Sequence, residues 1–160
     1  MKPEDYEIIL WDFDGVIKES VAIKAYAFEN LFSNYDQQIR LQIRRHHLSN
    51  TGLSRFIKIP LYLRFAGIKV TTKTINEYAR KFSELVKQLV IDSPWVPGVE
   101  KYLKLNYQSK KFILLTATPK EEIDDILIKL DILRYFHEVY GSQSSKINSM
   151  SNAIEKFQCD

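Results

Sequence analysis

The chain has 160 residues, which is enough for about one globular domain or for a compact core that carries an insertion. A composition of 45% hydrophobic and 27% charged residues excludes an intrinsically disordered chain. The net charge is only +3, and a single cysteine, Cys159, excludes an internal disulfide framework. No signal peptide is expected before the first apolar run, and no run is long enough to span a bilayer, so a reducing, cytoplasmic location is predicted.

The first predicted element is a buried β-strand over residues 7–13, an apolar run with little alternation. Asp12 and Asp14 stand at its end, with Gly15 behind them to turn the backbone. In an open α/β sheet this end of a strand faces the ligand crevice. There one aspartate can attack phosphorus, a second can act as acid and base, and hard oxygen atoms suit Mg²⁺. The alternative is an acidic turn in which Asp14 caps the next helix.

Residues 19–91 are predicted to be helical. They hold only two glycines and one proline, and apolar residues recur at helical spacing in four successive segments. These are VAIKAYAFENLF, QQIRLQIRRHHL, SRFIKIPLYLRFA and TINEYARKFSELVKQLV. The stretch DSPWVPG at 92–98 then returns the chain to the core. The predicted domains are a core of residues 1–17 and 93–160 and a helical cap of residues 18–92.

The predicted cap is strongly basic. No acidic residue occurs between Asp36 and Glu77, whereas cations accumulate there: Arg40, Arg44, Arg45, Arg55, Lys58, Arg64, Lys69 and Lys73, with His46 and His47. These residues form either solvated helix faces or a surface that attracts an anion, whether a phosphorylated metabolite or nucleic acid. Phe56, Tyr62 and Phe65 are interleaved as base-stacking platforms would be, but their helical spacing favours packing within the cap. The two adjacent histidines would point apart on a helix, so a metal pair is not expected.

The rest of the chain predicts a βαβ unit. Residues 111–117 repeat the buried-strand pattern, and residues 136–142 repeat it more weakly. Between them, a proline and acidic residues suit the start of a helix. Its apolar residues on one face are Ile123, Ile126, Leu127 and Leu130. A strand, helix and strand in this order predict an α/β fold with a parallel sheet.

Three segments, taken in order, resemble the motifs of the haloacid dehalogenase-like superfamily. WDFDGVIKES resembles the first motif, D-x-D-G-[VT], and FILLTATP resembles the second, an apolar strand that ends in threonine or serine. YGSQSSK resembles the third motif, in which a lysine begins a helix. The helical insertion stands where this superfamily carries a C1-type cap. The resemblance therefore implies a Rossmann-like parallel-sheet core with an inserted all-helical cap.

The resemblance also implies residue roles. Asp12 would be the nucleophile, Asp14 the general acid and then base, and Thr116 the hydroxyl that binds the transferring phosphoryl group. Lys146 would hold both the nucleophile and the phosphate, and Ala117 would contact the substrate. Mg²⁺ would bind at Asp12 and Asp14, through the backbone carbonyl of Asp14. The alternatives are a turn-forming threonine at Thr116 and a surface lysine at Lys146.

Within the cap, HHLSNTGLSRFIKI resembles the segment that faces the active site in phosphatase-like members. Arg55 is the main candidate for contacting the substrate, with Lys58, Thr51 and Gly52 beside it. Such a lid would exclude water and recognise the part of the substrate that carries no phosphate. The alternative for Arg55 is an arginine on the helix surface.

The superfamily's fourth motif, an acidic strand end that adds a Mg²⁺ ligand, has no counterpart in this sequence. Asp160 follows no apolar strand and is not a substitute. Truncation is favoured over loss of part of the metal site, and water would complete the octahedral shell only with weaker binding. Whether this chain is active is therefore left open.

The sequence predicts a Mg²⁺-dependent phosphatase that hydrolyses a small phosphorylated metabolite, such as a sugar phosphate, through an aspartyl-phosphate. A phosphomutase would share all of these residues and is one alternative. A non-catalytic domain that binds an anionic partner or nucleic acid through the basic cap is another. A dehalogenase is not favoured, because such relatives typically lack the second aspartate. The expected partner is a small phosphorylated substrate. No membrane partner is expected, and nucleic acid is not favoured. The protein is expected to be a monomer or a homodimer.

Overall fold

A computed structural model of the protein describes residues 7–143 and 146–157. The chain divides into two compact units: Met1–Lys18 together with Pro94–Asp160, and Glu19–Ser93. The first contains the sheet and is called the sheet unit; the second is called the helical unit. Among the described residues, no helix has the length and hydropathy needed to cross a membrane.

The helical unit consists of four helices: α1 Val21–Leu31, α2 Gln37–Ser49, α3 Arg55–Phe65 and α4 Thr72–Asp92. Their starts are set by local hydrogen bonds. Asp36 and Ser54 each accept a backbone N–H of the first turn of α2 and α3. Thr71 begins α4 with a reciprocal capping box, in which its side chain and that of Thr74 bind each other's backbone N–H.

Aromatic rings fill the interior of the helical unit. Phe28 of α1 stacks on Phe82 of α4 with ring centroids 3.9 Å apart and meets Tyr62 of α3 edge-on at 5.2 Å. Tyr62 and Phe32 are 0% exposed. Of the three aromatic residues considered as stacking platforms, Tyr62 lies in the core, as its helical spacing predicted. Phe56, in contrast, is 45% exposed.

In the part of the sheet unit that the structure describes, three parallel strands form the sheet. They are β1 Ile8–Trp11, β2 Lys111–Leu115 and β3 Glu138–Tyr140, in the order β1-β2-β3. The register of β1 and β2 starts with Ile8 opposite Lys111. A parallel sheet with helical connections confirms the predicted α/β class.

The central strand, β2, has the most deeply buried side chains of the sheet. Phe112, Ile113 and Leu114 of β2 are all 0% exposed, as predicted for a strand buried on both faces. β1 differs from that prediction, because Leu10 is 38% exposed. Among the described residues β1 has one neighbouring strand rather than two, and this edge position explains the lower burial.

Among its described residues, the sheet unit also contains three helices and a short 3₁₀ turn: α5 Val99–Asn106, α6 Lys120–Lys129, the turn Leu133–Tyr135 and α7 Lys146–Phe157. α5 was not predicted; it begins after Gly98, whose φ of +85° places it in the left-handed region. α6 buries Ile123, Ile126 and Leu127, three of the four residues predicted for its inner face. Cys159 lies outside the described residues.

Candidate active site

The carboxyl end of β1 joins an aspartate to a lysine from a distant part of the sequence. Asp12 follows β1 directly, and Lys146 is the first residue of α7. Lys146 Nζ donates to Asp12 Oδ2 at 2.5 Å, and the Phe13 backbone N–H donates to Asp12 Oδ1 at 2.7 Å. Both side chains of the ion pair are 37% exposed. The carboxylate is therefore held by a charge-assisted hydrogen bond and is still open to a ligand.

A tight turn positions the second aspartate. Gly15 has a φ of +75°, which a residue with a Cβ rarely adopts, and its N–H donates to the Lys18 carbonyl at 2.8 Å. The N–H groups of Ile17 and Lys18 both donate to the Phe13 carbonyl. Asp14 lies within this turn and is half-buried. The structure thus places both predicted carboxylates at the end of β1.

Residues 95 and 96 also contact this turn. Lys18 is 2% exposed, and its Nζ lies 4.7 Å above the ring of Trp95. The Val96 N–H donates to the Ile17 carbonyl at 3.1 Å. Lys18 was not singled out from the sequence, where it looks like an ordinary surface lysine.

The ends of β2 and β3 lie next to each other. Thr116, the residue after β2, is 2% exposed, and its N–H donates to the Tyr140 carbonyl of β3 at 3.0 Å. The Thr118 N–H donates to Thr116 Oγ1 at 3.2 Å, so the Thr116 oxygen is held while its hydroxyl proton is left for another acceptor. The Ser142 N–H closes the loop by donating to the Thr118 carbonyl at 3.0 Å. Ala117, between the two threonines, is half-buried.

Thr118 is a candidate site residue that the sequence interpretation did not name. It is 1% exposed and joins the loops after β2 and β3. The available signal was a second hydroxyl residue two positions after the predicted strand end. A loop residue of this kind is recognised as part of a site only when its partners across the sheet are known.

The donor atoms at the end of β1 suit a hard cation. Asp12 and Asp14 offer carboxylate and carbonyl oxygens, the ligands that Mg²⁺ prefers. In the part of the chain that the structure describes, no group of three or more histidine, cysteine or acidic side chains could hold a metal ion. Asp160 lies outside the described residues. The residues present therefore fit Mg²⁺ bound partly by substrate and water.

In the helical unit, Arg55 is 4% exposed, so the surface alternative for this arginine is wrong. Its Nη1 donates to Ser83 Oγ at 2.5 Å, and its guanidinium lies 4.7 Å from the centre of the Phe82 ring. These contacts fix the side chain within its own unit.

Lys58 is also buried, at 2% exposed. Its Nζ lies 3.1 Å from His47 Nδ1 and donates to the Thr51 carbonyl at 3.4 Å. Because an ammonium group only donates, this contact makes Nδ1 of His47 the acceptor. Thr51 and Gly52 lie in an exposed turn between α2 and α3.

Comparison with known proteins establishes the family. A model of the haloacid dehalogenase-like hydrolase family matches residues 9–160. The chain therefore belongs to this family. A phosphorylated carbohydrates phosphatase from Thermotoga maritima is 26% identical over 144 residues, covering 86% of this chain and 62% of that protein. The chain thus spans less than two thirds of this relative's length.

Solved structures share the fold at lower identity. CbbY from Rhodobacter sphaeroides, as a mutant in complex with xylulose 1,5-bisphosphate, is 14% identical with a TM-score of 0.72. The match covers 95% of this chain and 72% of that one. YfnB from Bacillus subtilis, a HAD-family protein bound to magnesium, is 14% identical with a TM-score of 0.63, covering 95% and 75%. At such identities the likeness shows the α/β fold alone.

Proposed function

We propose that this protein is a Mg²⁺-dependent phosphatase that hydrolyses a small phosphorylated metabolite through an aspartyl-phosphate. The observation that carries the proposal is the pair formed by Asp12 and Lys146 at the carboxyl end of β1. A carboxylate held beside an ammonium group, in a chain of this hydrolase family, supports a role in phosphoryl transfer. The carbohydrate phosphatase relative supports a phosphorylated carbohydrate as the substrate class.

The first chemical step would form a bond between an Asp12 oxygen and phosphorus while the bond from phosphorus to the leaving oxygen breaks. Asp14 would give its proton to that oxygen, which leaves as an alcohol. In the second step Asp14 would take a proton from water, whose oxygen attacks phosphorus and frees Asp12 and inorganic phosphate. Lys146 and the Thr116 hydroxyl would stabilise the charge on the phosphoryl oxygens.

The Asp12 carboxylate and the Asp14 backbone carbonyl would hold Mg²⁺. When bound, the ion would offset the repulsion between the carboxylates of Asp12 and Asp14 and a phosphate dianion. The activity of this chain stays a prediction. In the helical unit, Arg55, Lys58, Thr51 and Gly52 stay proposed contacts for the rest of the substrate.

The test is phosphate release from p-nitrophenyl phosphate with Mg²⁺, with and without a chelator. We expect metal-dependent release that Asp12→Asn abolishes. In Asp14→Asn, which can be phosphorylated but lacks the base for hydrolysis, intact mass spectrometry should detect one added phosphoryl group on Asp12. Activity that survives Asp12→Asn would overturn the proposal. So would the absence of phosphoryl transfer to Asp12 in both the wild-type protein and Asp14→Asn. Transfer of the phosphoryl group back to a sugar phosphate, in place of release, would indicate a mutase.

A further inference from the structure

A groove of about 390 Å³ lies on the helical unit, between one face of α2 and the end of α3. Gln38, Gln42 and Arg45 line it at the three- and four-residue spacing of one helical face, and Phe65 lines it from α3. Its volume falls within the range of roughly 300–1,000 Å³ that is usual for small-molecule sites. The groove is open to solvent and has room for one small molecule.

The groove has a cation and no anion. Of the described residues that line it, none is acidic. Arg40 and Arg44, on the same helix, both pair with Glu29, at 3.2 and 3.0 Å. The side chain of Arg45 makes no hydrogen bond or ion pair with any residue that the structure describes. Its guanidinium is thus available to pair with an anion that enters the groove.

Two other residues that line the groove, His46 and Phe65, are held by contacts with Tyr62. His46 also lines the groove, and its Nδ1 lies 3.0 Å from the hydroxyl of Tyr62, which is 0% exposed. The Tyr62 hydroxyl is protonated at neutral pH, and burial raises its pKa further. The Tyr62 ring also lies 6.1 Å from that of Phe65. The imidazole and the apolar ring are therefore fixed before any ligand binds.

The remaining lining groups are neutral and polar. Asn50 Nδ2 donates to the His46 carbonyl at 2.9 Å, which leaves its side-chain oxygen as an acceptor. The side-chain amides of Gln38 and Gln42 can both donate and accept. A few polar groups beside one apolar ring are typical of a site that orients a small ligand.

We propose that this groove binds a small molecule that carries one anionic group, a carboxylate or a phosphoryl group, on a planar apolar ring. Arg45 pairs with the anion, and Phe65 contacts the ring. None of the lining residues belongs to the set proposed above for catalysis or substrate contact. The site therefore goes beyond the proposed phosphatase activity and does not depend on it.

The distribution of charge favours a small ligand over nucleic acid. A nucleic-acid strand is held by several cations that follow its phosphates. In the basic stretch, Glu29 pairs with both Arg40 and Arg44 and offsets one of their two charges, and Arg55 and Lys58 are buried. The groove itself offers one arginine.

The experiment uses the full chain and follows backbone amide signals by ¹⁵N NMR during titration. The probes are benzoate and phenylphosphonate, which share a ring and differ in the anion. Inorganic phosphate, an anion without a ring, and benzyl alcohol, a ring without charge, are the controls. We expect both ring anions, added to about 10 mM, to shift the amide signals of residues 38–50 and of Phe65. The shifts should fit a Kd of about 1 mM or less.

Matched variants test the assignment of the arginine. Arg45→Gln should weaken binding of the ring anions at least tenfold, whereas Arg44→Gln, on the same helix but paired with Glu29, should leave it within twofold. The better of the two ring anions identifies the anionic group. The proposal is overturned if neither probe shifts these amides, if the two variants lose affinity equally, or if a control binds as well as the ring anions. It also fails if a short RNA produces the larger shifts.

Discussion

Lys146 is the side chain whose removal tests the electrostatics of the proposed active site most directly. Lys146→Met keeps a long side chain but removes the ammonium group that contacts Asp12. Because one preorganised charge at a reacting phosphoryl group is typically worth about 10²–10³ in rate, kcat should fall by about that factor. The measurement is steady-state release of p-nitrophenol with Mg²⁺.

The matched control is Lys156→Met on the same helix. Lys156 pairs with Glu138, which raises its pKa, but neither residue belongs to the proposed site. This variant should retain kcat within about twofold, because its exposed ion pair is screened by solvent and lies outside the proposed site. An equal loss of kcat in both variants would show that the loss comes from disturbing α7 and not from removing the charge at Lys146.

At the scale of elements, the loop after β3 packs directly against the start of α6. A Cβ added to Gly141 would lie 2.7 Å from Lys120 Cα, closer than such atoms approach. The obstacle is backbone, so it cannot rotate away. Gly141→Ala should therefore lower the free energy of unfolding by about 1–3 kcal/mol, as overpacking typically does. Urea unfolding, with the slope m unchanged, measures this difference.

Gly52→Ala is the control for Gly141→Ala. No atom lies within 4 Å of a Cβ added at Gly52, and its φ is not in the left-handed region. Both variants reduce the entropy of the unfolded chain equally, so their difference isolates the steric clash. If Gly141→Ala proves as stable as Gly52→Ala, the close approach of these elements does not constrain the loop.

At the scale of the whole molecule, two tyrosines should limit stability at alkaline pH: Tyr62, which is buried, and Tyr78, which is half-buried. Burial raises the pKa of Tyr62 above its ordinary value of 10.0, and burial with a hydrogen bond to Tyr35 raises that of Tyr78 to about 12. A group whose pKa is raised in the folded state stabilises the protein below the unfolded pKa. That stability is lost as the pH rises from about 10 towards the folded value.

Tyr62→Phe and Tyr78→Phe test this linkage. Each variant cannot ionise at the changed position, so its stability should fall less steeply above pH 10 than that of the wild type. The difference in free energy of unfolding between wild type and variant, measured in urea from pH 8 to about pH 11.5, should move in favour of the variant. A difference that stays constant over this range would contradict the prediction.

Much of the site was predictable because strand ends carry a local signal. Asp12, Asp14 and Thr116 each follow an apolar run, and the structure places each at the end of a parallel strand. Lys146 has no such signal, and only the order of the motifs pointed to it. Its 2.5 Å contact with Asp12, across 134 positions of sequence, depends on how the sheet and α7 pack.

The sequence by itself determined the α/β class, the four inserted helices and the positions of the two carboxylates, because periodicity and strand ends are local properties of a chain. The tertiary structure alone decided which basic residues are available. Arg44 and Arg45 are neighbours in sequence, yet the first pairs with Glu29 of α1 while the second lines a groove. Burial of Arg55 and Lys58 was likewise decided by contacts between helices. The physical reason is that the state of a charge depends on partners that are distant in sequence and adjacent only in the fold.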